Sequence, residues 1–226
     1  MDYILHIDST TKVCSVALSK EDNLIELIEL DSDDLSHSEK LHLFIEKCLL
    51  NSAIKPSDLS AVCVSKGPGS YTGLRIGVSA AKGLCYGLNI PLIAIDTLSA
   101  MANSVAHKVE ETATLIPMID ARRIEVFCSI HQSGNIIKSV HSRILDEEPF
   151  DDISTKSVYY FGDGAEKAQE YVNPKWTYLP EQKTSAKNLI PLAFKKFQNQ
   201  DFEDTAYFEP YYHKEFKAGK PKKILR

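Results

Sequence analysis

The feature that most constrains the fold is a pattern that occurs twice. An apolar run, Tyr3-Ile4-Leu5-His6-Ile7, ends at Asp8, turns through Ser9-Thr10-Thr11-Lys12 and returns as a second run from Val13 to Leu18. Leu115-Ile116-Pro117-Met118-Ile119 ends at Asp120, turns through Ala121-Arg122-Arg123 and returns from Ile124 to Ile130. Short, dense apolar runs bounded by polar turns read as strands. The two aspartates lie 112 positions apart in a chain of 226 residues. The pattern therefore predicts an α/β fold from a duplicated unit: two related subdomains, each a mixed sheet flanked by helices. The expected divisions are 1–106, 107–213 and a tail, 214–226.

Between the repeats, Leu24 to Leu30 predicts a third strand. Ser36 and Glu39 fit a capping box that opens a helix to about Asn51. Ala61–Ser65 and Pro91–Ile95 predict strands, Thr72 to Leu88 a helix, and Thr97 the start of a short one. In the second half a strand is expected near Tyr159-Tyr160-Phe161, then a Gly162-Asp163-Gly164 turn, a helix to about Tyr171 and another from Ser185 to about Gln198.

Charge narrows the partners. The net charge is −5, but residues 214–226 hold six Lys/Arg against one Glu, which leaves −10 on residues 1–213. An acidic body is a poor stand-alone nucleic-acid platform. The basic tail is expected to be a solvated end, with contact to RNA or an acidic partner as the other reading. Five scattered cysteines without a CxxC pair point to reduced thiols in a cytoplasm rather than a disulfide frame or zinc ribbon. No stretch reaches the ~18 apolar residues of a membrane span, and Met1-Asp2-Tyr3 does not read as a signal peptide.

Several residues carry candidate chemistry. Asp8 and Asp120, at equivalent strand ends, either converge to hold Mg²⁺ for phosphoryl transfer or cap their own turns. The loop Gly67-Pro68-Gly69-Ser70-Tyr71-Thr72-Gly73 either aims backbone N–H groups at an anion or lets the next helix cross close over the sheet. It lacks the lysine of a Walker A loop. His37 and His42, five apart, do not share a helix face, and His6 reads as a satisfied core histidine. Trp176 reads as packing.

Two helices each show a spare apolar seam. In the first, Leu41, Phe44, Ile45, Cys48 and Leu49 form the core stripe, while Leu43 and Leu50 point away. In the second, Leu74, Val78, Ala81, Cys85 and Leu88 face the core, and Ile76, Ala80, Gly83 and Gly87 make another seam. Glycine inside a helix costs roughly 1 kcal/mol against alanine, so two on one seam predict a close neighbour. That neighbour is either a helix of the same chain or another subunit.

Taken together, Ile7-Asp8-Ser9-Thr10, Cys14-Ser15-Val16-Ala17-Leu18, His37-Ser38-Glu39, the block Lys66 to Gly77, Ala81-Lys82-Gly83-Leu84, Ile119 to Arg123 and Glu209-Pro210-Tyr211-Tyr212 resemble the bacterial TsaB (YeaZ) family. The resemblance implies the actin/sugar-kinase/heat-shock-chaperone-like (ASKHA) fold and a role in making threonylcarbamoyladenosine in tRNA. It implies TsaD and TsaE as partners, with TsaC supplying threonylcarbamoyl-adenylate. Where the related TsaD carries a metal-holding His-x-x-x-His, this chain has Thr97 and Met101, poor ligands for a hard divalent ion. Ser9-Thr10 stands where many relatives have a phosphate-approaching glycine, and Gly162-Asp163-Gly164 loosely resembles the adenosine-side turn. The resemblance thus implies a non-catalytic partner of TsaD, with tRNA met through the complex; the spare seam, Leu43, Leu50, Ile76, Ala80, Gly83 and Gly87, is its expected interface, and the same seam predicts a homodimer when the chain is alone. It would have no cofactor of its own; ATP/ADP and a divalent metal belong to the complex. A Mg-dependent ATPase or phosphotransferase using Asp8 and Asp120 stays open as the alternative, and a glycoprotease-like peptidase lacks a visible nucleophile–base pair.

Overall fold

The computed structural model describes residues 2–32, 37–146 and 149–213, with the side chain of His37 excepted. The expected N-cap Ser36 and the basic tail lie outside the described residues.

Five strands form the first sheet: β1 (Tyr3–Asp8), β2 (Val13–Lys20), β3 (Asn23–Asp31), β4 (Leu59–Ser65) and β5 (Leu92–Ile95). The second contains β6 (Thr114–Asp120), β7 (Glu125–Gln132), β8 (Asn135–Ile144), β9 (Val158–Phe161) and β10 (Thr177–Leu179). The spatial orders are β3-β2-β1-β4-β5 and β8-β7-β6-β9-β10. The first three strands of each sheet are antiparallel neighbours, and the last two join in parallel. The two halves repeat one topology, as the Ile-Asp repeat predicts.

The helices are α1 (His37–Asn51), α2 (Tyr71–Leu88), α3 (Thr97–Ala106), α4 (Ala165–Ala168) and α5 (Ile190–Gln198). Strand β1 is apolar at every position from Ile4 to Ile7 but His6 because both faces of its sheet are covered. Leu5 and Ile7 join the cluster under α1 and α2. Ile4 faces the other way, toward Ala193 of α5 and Ala100 of α3. Helix α3 also packs Leu98, Met101 and Val105 against Leu115, Ile119 and Phe161 of the second sheet. It is the layer shared by the two sheets. Trp176 is buried edge-on to Phe150, the packing role expected of it.

The chain departs from the sequence expectation in four places. Strand β8 is an additional edge strand, and the three-residue β10 another. The helix after Gly164 is a single turn, and Asn173-Pro174 follow before β10. The segment from Ser185 starts as a 3₁₀ turn, Ala186–Leu189, before α5, whose first turn accommodates Pro191. Finally, residues 203–212 run back over the first half: Glu203 bridges to Leu92, and Tyr211 N donates to Lys66 O at 2.8 Å.

Candidate functional site

The β1–β2 turn is clamped. Asp8 is buried, and its Oδ1 accepts from Thr10 N (3.0 Å) and Thr10 Oγ1 (2.6 Å). Burial raises its pKa to about 6, against the hydrogen bonds from Thr10 and Ser65 that hold it down. The glycine-rich loop after β4 descends on this turn. Ser70 N donates to Thr10 O (2.6 Å), and Ser9 Oγ donates to Gly73 O (2.8 Å). A Cβ on Gly69 would strike Thr10, and one on Gly73 would strike the Ser9 carbonyl. Gly67, at φ +110°, has the Tyr211 carbonyl 2.7 Å from where a Cβ would stand. Of the two readings of this loop, the close crossing is the one the structure shows: its glycines admit protein backbone. Ser70 caps α2 by accepting from Gly73 N (3.3 Å).

The β6–β7 turn is open. Asp120 is exposed, its Oδ1 accepting from Arg122 N at 2.7 Å and pairing with Lys167 Nζ at 2.5 Å. The Asp163 carboxylate accepts from Asp120 N (3.2 Å). A cleft of about 450 Å³ beside this turn is lined by Asp31, Asp120, Asp163 and Glu166 with Lys12 and Lys183; Asp8 is not on its wall. Asp120 thus lines the cleft and Asp8 does not, and each aspartate bonds its own turn. No group of three or more metal-ligating His, Cys, Asp or Glu occurs among the described residues.

A Mg-nucleotide, as the fold class implies, does not fit these residues. Its phosphates need free backbone N–H groups and a cation-holding carboxylate. Here the glycine loop covers Ser9 and Thr10 of the first turn, Asp8 is committed beneath it, and the charged groups on the cleft wall are four acidic against two basic, which disfavours phosphates. The positions compared with the His-x-x-x-His pair are equally committed. Thr97 Oγ1 bonds Ser65 Oγ at 2.7 Å, and Met101 is buried against the second sheet.

His6 departs from expectation by half. Its Nε2 meets Ser19 Oγ at 2.9 Å, but the buried Nδ1 has no partner among the described residues, and burial lowers its pKa to about 3. All five cysteines are buried and unpaired.

The helix seam is divided. Leu43 is 60% and Leu50 76% exposed, and a Cβ at Gly83 or Gly87 would meet nothing within 4 Å. Tyr86, 87% exposed, stands between those glycines. Ala80, in contrast, belongs to the buried cluster containing Leu41, Ile45 and Cys48 of α1, and Ile76 packs against it. For those two residues the close neighbour is the chain itself. The C-terminal segment adds to this cover, with Phe208 against the same cluster and the Tyr212 ring tilted against Tyr71, centroids 4.8 Å apart. Lys82 Nζ holds it by donating to Phe208 O at 2.9 Å. The run Pro210-Tyr211-Tyr212 was the visible signal of this strap.

Two sheets of one order, stacked through a shared helix, define the actin/sugar-kinase/heat-shock-chaperone-like class. YeaZ from Pseudomonas aeruginosa has the same fold, at TM-score 0.80 and 22% identity over 94% of this chain and all of that one. The family model described as "TsaD: tRNA N6-adenosine threonylcarbamoyltransferase" matches residues 34–214. The tRNA threonylcarbamoyladenosine biosynthesis protein TsaB of Bacillus subtilis is 37% identical over 133 residues, 58% of this chain and 56% of that protein. Its namesake from Buchnera aphidicola subsp. Schizaphis graminum is 30% identical over 199 residues, 85% of this chain and 93% of that protein. The matches span about half the length of the first curated relatives. The chain belongs to the TsaB (YeaZ) family, whose curated members are named for threonylcarbamoyladenosine synthesis in tRNA. No helix among the described residues is long and apolar enough to cross a membrane.

Proposed function

We propose that the chain is a non-catalytic subunit of the tRNA threonylcarbamoyladenosine machinery that pairs with TsaD and holds it in its active arrangement. The observation that carries this is exposure on α1 and α2: Leu43 and Leu50 of α1 and Tyr86 of α2 stand out in solvent, and Gly83 and Gly87 of α2 have open surfaces. Large apolar side chains grouped on one face mark an interaction surface, and glycines allow a partner helix to approach closely. A related helix pair on TsaD would complete a bundle. Without it, a second copy would take its place as a homodimer. TsaE would dock on the assembled pair, and tRNA would meet the chain within the complex, in the cytoplasm.

In this reading the chain brings no cofactor of its own. The filled β1–β2 turn and the committed Asp8, Thr97 and Met101 support that assignment, and ATP/ADP and the divalent metal reside with the partners. The rival ATPase built on Asp8 and Asp120 draws no support from the geometry. Titration with Mg-ATP tests it: micromolar binding with turnover lost in Asp8→Asn would favour it.

Gly83→Arg is the direct test of the face. Co-purification with TsaD from the same cell is expected to fall at least tenfold, with the melting temperature kept because the site is open. Undiminished co-purification would overturn the proposed interface.

A further inference from the structure

The motif Ile119-Asp120-Ala121-Arg122-Arg123 takes no part in the helix face, yet its turn is braced from several sides. Arg122 and Arg123 are consecutive non-glycine residues at φ +68° and +52°. This is the left-handed region, unfavourable for side chains with a Cβ and easily occupied by Gly or Asn. Lys167 Nζ ties the turn at three points: Asp120 Oδ1 (2.5 Å), Arg123 O (3.0 Å) and Glu125 O (2.5 Å). Ala121 N closes it by donating to Glu125 O (3.1 Å). Both arginines are exposed, and neither guanidinium makes a hydrogen bond or ion pair to a described residue. The brace thus uses Lys167 to neutralise Asp120 and leaves two adjacent guanidiniums exposed at the tip, with no partner among the described residues.

Strain held in place by surrounding bonds points to a function of the strained residues. We propose that the β6–β7 tip is a phosphate-contact point at which Arg122 and Arg123 grip the sugar–phosphate backbone of RNA. The guanidinium fork matches phosphate oxygens bidentately. On a body that carries −10 over residues 1–213, a braced cationic tip gives the polyanion a defined point of contact rather than a diffuse one. Exposed Ile124, next in sequence, offers an apolar shelf for a ribose or base beside the phosphates. The inference rests on the proposed place of the chain in a tRNA-modifying complex.

The test replaces the charges with residues that suit the backbone: Arg122→Asn together with Arg123→Gly. This double variant is expected to keep or raise the melting temperature, because both residues accept positive φ. The full chain, alone and mixed with TsaD, is titrated against unmodified tRNA at several salt concentrations. The variant is expected to weaken binding about tenfold and to reduce the slope of log affinity on log salt by about 1.5, as loss of two phosphate contacts requires. Arg122→Lys with Arg123→Lys should restore most of the slope. Unchanged affinity and slope would overturn the proposal. So would an unchanged slope with weakened elution alongside TsaD, which would make the tip a protein contact. Failure of the subunit reading is seen separately, as absence of co-elution with TsaD in the unaltered chain.

Discussion

The two Ile-Asp turns occupy the same place in two sheets of one topology, and their surroundings are opposite. In each half a glycine-containing loop follows the fourth strand and leads into a helix. After β4 that helix, α2, runs 18 residues; after β9 its counterpart, α4, has four. The loop before the long helix and the helix's first turn set Gly69 and Gly73 against Thr10 and Ser9, and Asp8 is buried beneath them. The short one leaves Asp120 at the surface with a lysine beside it. The same local sequence thus yields a structural clamp in one half and a presented tip in the other. What differs is the length of a helix far away in the chain.

Gly73→Ala should break the comparison most severely. Alanine favours helices by roughly 1 kcal/mol over glycine, but here its Cβ meets the Ser9 carbonyl, a backbone atom with no free rotation. The expected net loss is about 3 kcal/mol or more, read as a fall of roughly 6–12 °C in melting temperature. Gly164→Ala, facing the second turn, meets Ile119 C at 2.7 Å and Asp120 N at 2.9 Å, a shallower overlap against a helix of one turn. It should cost less. Equal losses at the two glycines would show that the first turn is no more tightly clamped than the second.

Asp8→Asn probes the clamp by charge. The folded-state pKa of about 6 lies above the ordinary 3.8, so the fold favours the protonated form. Its contribution is therefore present below pH 3.8 and lost as pH rises through 6. At 1.36 kcal/mol per unit, an ionised Asp8 weakens the fold by about 2–3 kcal/mol at pH 8. Asparagine stays neutral and keeps an oxygen for Thr10. The variant should be more stable by about that amount at pH 8 and no more stable at pH 4. Melting curves at the two pH values decide it: a pH-independent difference would mean that Asp8 is not held as a buried charge.

The duplicated strand pattern was legible because an apolar run and its polar turn are local in sequence. The outward face of α1 was legible for a similar reason: helical periodicity alone turns Leu43 and Leu50 from the core. Burial of Asp8 was not, since it depends on a helix some 64 residues on meeting Ser9, as the Ser9–Gly73 bond shows. The same holds for Ala80, whose cover comes from α1. Strand β8 escaped notice because Asn135 to Ile144 is an edge, exposed along most of its length with only Arg143 buried, so the sequence shows no clean inside–outside alternation. Lys167 carried no signal at all; its three bonds exist only once α4 is set beside the β6–β7 turn.

Asp120→Asn is the smallest of these perturbations and the one that defines the second turn. Asparagine retains an oxygen for Arg122 N, and Lys167 keeps the carbonyls of Arg123 and Glu125. Only the exposed ion pair is lost, a class of interaction that contributes about 0–1 kcal/mol and weakens with salt. The expected change in stability is below about 1 kcal/mol and should shrink further in concentrated salt. A loss comparable to that of Gly73→Ala would make Asp120 a structural keystone like the clamp around Asp8. A small, salt-sensitive loss would instead show that the second turn keeps its shape through the lysine and its backbone bonds, with its arginines held exposed at the tip.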